Sequence, residues 1–141
     1  MRHRVAGRRL AADTQHREAM RRNLARGIFT HSRIITTQAK AKAVRPFVEK
    51  LVTRARRAYQ LKDSDRPAYI HQLRLLRRDV PDRALLKFLV ETIAPAMKDR
   101  PGGYTRIVRD ARNQLGDNAP RVIWEFVDRP EAPADEPVAV E

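Results

Sequence analysis

The spacing of hydrophobic positions changes character several times along the chain, and each change marks an element. Asp13 or Thr14 is placed to cap a helix running to about Arg26, where Gly27 supplies a natural stop. At about 100° per residue, Ala19, Met20, Asn23 and Leu24 fall on one half of that helix and Arg17, Arg21, Arg22 and Arg26 on the other. Ile34-Ile35-Thr36-Thr37 is β-branched throughout and predicts a short strand. Thr37 can then cap a long helix over residues 38–60, in which Val44, Phe47, Val48, Leu51, Val52 and Ala55 have the spacing of a stripe buried on one side. Lys40, Lys42, Arg45, Arg54, Arg56 and Arg57 project mostly elsewhere. Pro46 removes one hydrogen bond inside this helix and is expected to bend it near residues 42–45.

The second half continues the helical period and then changes to an alternating one. Asp63-Ser64-Asp65 reads as a turn whose last residue caps a third helix, with Pro67 in its first turn and Ile70, Leu73, Leu76 and Tyr69 on its apolar side. Val80-Pro81-Asp82 ends that helix and starts another, with Leu85, Leu86, Phe88, Leu89 and Ile93 as buried candidates up to Pro95. Gly102-Gly103 leads into an alternating strand over Tyr104–Arg109, Gly116-Asp117-Asn118 supplies a turn, and Val122–Val127 is a second strand.

Composition narrows the class. A chain of 141 residues with 42% hydrophobic residues suits one domain with a modest core. With no cysteine there is no disulfide framework, thiolate metal site or cysteine chemistry. The apolar runs are too short to span a bilayer and none follows the basic start as a signal peptide requires, so a soluble, intracellular protein is expected.

Charge changes the picture more than composition does. Residues 1–57 carry 16 Lys and Arg against three Asp and Glu, whereas residues 58–141 carry 14 of each. The whole surplus of +13 therefore lies in the front portion, and a polyanion is the partner that neutralises such a surplus. Only six of the 30 basic residues are Lys; Arg suits phosphate forks and stacking on bases, although a GC-rich genome gives the same bias. Residues 1–12, MRHRVAGRRLAA, show no period and read as a basic arm that orders on phosphate. Residues 129–141 read as an acidic, proline-rich tail, leaving 13–128 as a single globular domain.

Enzymatic chemistry finds little footing. His3, His16, His31 and His71 lack metal-ligand spacing, and Ser32 and Ser64 lie outside any GxSxG setting. Gly102-Gly103 lacks the length and the following Lys of a phosphate-binding P-loop. No catalytic residue, metal, cofactor or small-molecule substrate is expected. Two other readings share the charge asymmetry. A nucleoid-type or regulatory DNA-binding protein lacks a helix-turn-helix pair here. A membrane-surface protein using the helix at 14–26 has only one Leu and one Met on its apolar half, with no aromatic anchor.

Several short strings then align in order: MRHR..GR.L at the start, H-R-x-A-M-R-R-N-L at 16–24, I-x-T-T-x-x-K-A-K at 34–42, R-P-G-G-Y-T-R-I at 100–107 and G-D-N-A-P at 116–120. Together they resemble the bacterial large-subunit ribosomal protein L17 family, from Met1 to about Val127. The resemblance implies a two-layer α/β fold of the α+β type, with helices covering one face of a small mixed sheet of about three strands. That sheet would combine Ile34–Thr37 with the two C-terminal strands. The resemblance also implies a structural role in the large subunit, bound to the large rRNA and neighbouring ribosomal proteins near the nascent-peptide exit.

The residues in the matching strings supply the candidate RNA contacts. Arg2, His3, Arg4, Arg8 and Arg9 would thread between rRNA helices. His16, Arg17, Arg21, Arg22 and Asn23, with Arg26, lie on the first helix. Thr36, Thr37, Lys40 and Lys42 form a strand-to-helix junction where hydroxyls, backbone N–H groups and ammonium groups can hold phosphates. Gly102, Gly103, Tyr104, Thr105 and Arg106 make a loop where Tyr104 either stacks on an unpaired base or packs in the core, and Arg106 takes a phosphate. Ala96 and Met97 follow Pro95 where the family pattern calls for a basic or aromatic residue, and residues 110–115 are less basic than that pattern; no contact is assigned to either.

Overall fold

The computed structural model describes residues 3, 8, 10 and 13–128. Arg2, Arg4, Arg9 and the acidic segment 129–141 lie outside the described residues. In chain order the elements are α1 (Thr14–His31), β1 (Arg33–Thr37), α2 (Gln38–Leu61), α3 (Arg66–Asp79), α4 (Arg83–Phe88), a π-helical turn (Leu89–Ile93), α5 (Ala94–Ala96), β2 (Thr105–Arg109) and β3 (Arg121–Phe126).

Three strands form one sheet in the order β1-β3-β2. Along β3, Val122, Trp124 and Phe126 are buried and alternate with half-buried Arg121, Ile123 and Glu125, the period of two that gives a sheet one covered face. Trp124 stands opposite Ile34 on β1 and Ile107 on β2, so one row of large side chains crosses the covered face. Both pairings are antiparallel, which corrects the expected mixed sheet. Residues 110–120, which join β2 to β3, form too short a connection for the crossover that a parallel pair requires. The outer strands β1 and β2 run the same way but never pair with each other.

Helices cover that face, with α2 at the centre. Ala41, Val44, Val48, Leu51, Val52, Ala55 and Ala58 are buried along one side of α2, and Phe47 is half-buried beside them. This helix touches α1, α3, the π turn, α5 and all three strands. It continues through Pro46, its ninth residue of 24. The π turn lies just ahead of Pro95, which lacks an N–H and would clash with the Glu91 carbonyl in a regular helix.

The first helix runs five residues beyond the sequence expectation of Arg26, through Gly27 to His31. A glycine inside a helix costs about 1 kcal/mol. Burying Ile28 and Phe29 completely, at roughly 1.5–3 kcal/mol each, outweighs it. The stop comes instead at Ser32, held at φ +57° with its N–H on the Ile28 carbonyl at 2.9 Å. At the other end Asp13 caps the helix, accepting from the His16 N–H at 3.1 Å.

Candidate nucleic-acid interface

Because Ala25, Ile28 and Phe29 face the core, α1 turns its earlier arginines outward. Arg21, Arg22, Asn23, Arg26 and His16 are exposed, and Arg17 is half-buried. Arg17 leans on Thr14, its Nη2 donating to Oγ1 at 2.9 Å, while its buried Nε has no partner among the described residues. Among the described residues only two loose ion pairs restrain this face: Arg22 to Glu18 at 4.0 Å and Arg26 to Asp82 at 3.9 Å. Arg21 has no carboxylate within ion-pair distance among the described residues, and its guanidinium carbon lies 5.4 Å from the centre of the Phe47 ring. This face keeps a cationic surplus: two of its four arginines meet a carboxylate only loosely, and Arg17 and Arg21 meet none among the described residues.

The strand-to-helix junction lies at the end of β1. Lys40 and Lys42 are exposed and unpaired with any described carboxylate, and no acid occupies the first turn of α2. Thr36 and Thr37 are half-buried. Thr37 sits at the N-cap in extended conformation, yet its side chain makes no capping bond, so its hydroxyl stays available. One of the amides expected here is already used, since the Gln38 N–H donates to the Pro120 carbonyl at 2.9 Å. Two ammonium groups, the Thr37 hydroxyl and the remaining first-turn N–H groups can still meet an anion there.

The glycine loop departs from expectation. Gly102 and Gly103 are exposed, and Gly103 has φ +65°, which favours glycine. Tyr104, however, is 1% exposed, with its hydroxyl 3.4 Å from Thr53 Oγ1 and Arg56 over its ring at 6.0 Å. Its ring belongs to the core and is not free to stack on a base. Thr105 is equally buried and donates to Glu49 Oε1 at 3.1 Å. Arg106 is exposed and donates from Nε to Glu125 at 2.6 Å, so part of its guanidinium already faces an internal carboxylate. The pattern around the two glycines reflects a tight, strapped turn. Nearby, Arg56 donates to the Arg100 carbonyl, and Arg100 closes on both Asp128 oxygens at 2.8 and 3.3 Å. That clasp, chiefly through its hydrogen bond, holds the Asp128 carboxyl below its ordinary range and raises the Arg100 guanidinium.

Of the arm, His3 and Arg8 are described, and both are exposed. The structure also adds cations that the sequence reading did not single out as contacts. Lys50 and Arg54 of α2 and Arg78 of α3 gather beside Arg21 and Arg22, and Arg74 and Arg77 are exposed on α3. A narrower charge count would have signalled them: residues 58–128 hold 13 Lys and Arg against ten Asp and Glu, a surplus cancelled on paper by the acids of 129–141. Among the described residues no group of His, Asp and Glu is arranged to hold a metal ion, and no helix is long and apolar enough to cross a membrane.

The family model described as Ribosomal protein L17 matches residues 20–127. The large ribosomal subunit protein bL17 of Anaeromyxobacter dehalogenans (strain 2CP-C) is 45% identical over 141 residues, covering 100% of this chain and 79% of the relative. The protein of the same name from Thermus thermophilus is 41% identical over 128 residues, covering 91% of this chain and 100% of the relative. With the match spanning β1, all the helices except the start of α1, and both later strands, the chain belongs to the ribosomal protein L17 family.

Proposed function

We propose that this chain binds the large rRNA through the arginine-bearing face of α1, the junction between β1 and α2, and the basic residues of the first 12 positions. Membership of the family makes it a structural constituent of the large subunit of the cytoplasmic ribosome; the proposal concerns what it holds there and with which residues. The observation that carries it is the surplus positive charge of α1, where four arginines meet one acid of the same helix and the ion pairs described, to Glu18 and Asp82, are loose. Phosphate neutralisation supplies most of the affinity, and RNA shape supplies most of the selectivity. The globular part spans 13–128, and the basic and acidic ends flank it. Its place near the nascent-peptide exit, among neighbouring ribosomal proteins, rests on the family resemblance.

Binding of the full chain to large-subunit rRNA fragments, measured across a salt series, tests the proposal. With about eight basic groups on phosphates, log K should fall against log salt with a slope of roughly −6 to −7. A slope near zero would remove the mechanism. Duplex DNA is the competitor: tighter binding to DNA than to the rRNA fragments would favour the nucleoid reading. Retention on large subunits through a high-salt sucrose cushion checks the integral role.

A further inference from the structure

Between α1, α2 and the last turn of α3 lies an open crevice of about 430 Å³, lined by Arg21, Arg22, Phe47, Lys50, Leu51 and Arg78. Its volume falls in the ~300–1,000 Å³ range of small-molecule sites. Two carboxylates also border it, and each already faces an arginine: Glu18 lies 4.0 Å from Arg22, and Asp79 lies 3.7 Å from Arg54. Arg21, Lys50 and Arg78 have no described carboxylate within that range. The Arg54–Asp79 pair joins α2 to α3 and so fixes two of the walls.

We propose that this crevice seats one unstacked nucleotide of the bound RNA, with its base against Arg21 and Phe47 and its phosphate among Arg22, Lys50 and Arg78. This deepens the RNA-binding reading above and rests on it. The mixed lining selects the occupant. A bare phosphate run needs the cations but gains nothing from Phe47 and Leu51. An apolar protein segment would use the floor but leave three cations without partners. A nucleotide carries both halves, a flat apolar base and an anion. Arg21 already lies over the Phe47 ring at 5.4 Å, so a base entering beside it extends an existing stack, the means by which proteins hold splayed bases. Because the crevice opens beside the exposed arginines of α1, one RNA strand can follow α1 and turn a base inward.

Short-wave ultraviolet crosslinking of large subunits assembled with the full chain, followed by mass mapping of RNA-bearing peptides, tests the site. The expected result is a nucleotide attached at Phe47. Phe47→Leu keeps the apolar volume and should abolish that crosslink while the variant still sediments with the subunit. Joint Lys50→Ala and Arg78→Ala replacement should lower its yield by roughly tenfold or more, the scale of losing charge-assisted contacts, and leave crosslinks at other positions unchanged. RNA crosslinks on α1 or at the β1–α2 junction with none at Phe47 would overturn the nucleotide site alone. A Phe47 crosslink indifferent to Lys50 and Arg78 would do the same. Absence of RNA crosslinks anywhere on the chain, together with a flat salt dependence, would instead overturn the RNA-binding reading beneath it.

Discussion

The arginines of α1 and those of the open sheet face sit on the same small fold under opposite conditions. On the sheet, strand register puts Arg33 and Arg106 on either side of Glu125, and the ion pairs close at 3.6 and 2.6 Å. One strand end further on, Arg121 meets Asp110 at 2.9 Å. Between these rows lies an apolar row of Ile35, Ile123 and Val108. On α1 the pairs that exist are at 3.9 and 4.0 Å, and Arg21 has none among the described residues. What separates the two groups is the position of the carboxylates. Exposed pairs of this kind add only about 0–1 kcal/mol to stability, yet they decide which guanidinium groups an incoming phosphate finds unopposed. Net charge per segment does not reveal this; pairing across a register does.

If the sheet shapes the molecule while α1 binds, damage to each should give a different defect. The largest effect is expected from Trp124→Ala. Trp124 is fully buried between Ile34 and Ile107, and removing such a side chain costs about 3–5 kcal/mol. Denaturant unfolding should show that loss, and a cost under ~1 kcal/mol would mean that the sheet is not what holds the fold. The next largest is replacement of Arg17, Arg21, Arg22 and Arg26 together by Gln. Stability should change little, while the slope of log K for rRNA against log salt becomes shallower by about three and affinity near 0.1 M salt falls by two to three orders of magnitude. Unchanged binding would end the division between the two regions.

How far the sequence reveals this division depends on range. The stripe of α2, the cap at Asp65, the three strands and the arginines of α1 all depend on neighbours within a few residues, and each is legible there. Gly27 is legible as a stop only until Ile28 and Phe29 are seen buried, because tertiary burial overrides local propensity. Tyr104 stays open between core and base stacking, and Thr105 reads as an RNA contact, because their partners Thr53 and Glu49 lie 51 and 56 residues away. Arg106 is the clearest case: nothing near it in sequence announces Glu125, which only the β2–β3 register brings opposite. Arg78 was hidden for the complementary reason, because its crevice is built from three helices.

That long-range pairing leads to a sharper and smaller test. Arg106→Gln should change rRNA affinity by less than about twofold, since the side chain is already held by Glu125. Arg21→Gln in the same background should lower affinity by roughly tenfold and reduce the salt slope by about one. Filter binding of the two single variants side by side makes the comparison. Equal losses would mean that the Glu125 pair opens readily to phosphate and that carboxylate placement does not sort the arginines.

The smallest effect concerns the clasp at the edge of the fold. Arg100 donates from Nε and Nη2 to the two oxygens of Asp128, and this hydrogen bonding, aided by charge attraction and opposed by slight burial, lowers the Asp128 pKa. A carboxylate lowered on folding stabilises the native state above its unfolded value, about 3.9, and that contribution disappears as pH falls through the lower folded value. Between neutrality and about pH 4 the Asp128 carboxyl therefore stays ionised and able to hold Arg100, which places Arg100 with the sheet arginines that face a carboxylate. Both side chains are more than a third exposed, so screening by salt keeps the stabilisation small. A pH titration following the Asp128 carboxyl carbon by NMR should place its midpoint below the ordinary carboxylate value, and Arg100→Gln should return it there. A midpoint at or above the ordinary value in the unaltered chain would show Arg100 unclasped in solution, and it would then join the α1 arginines as a cation open to phosphate.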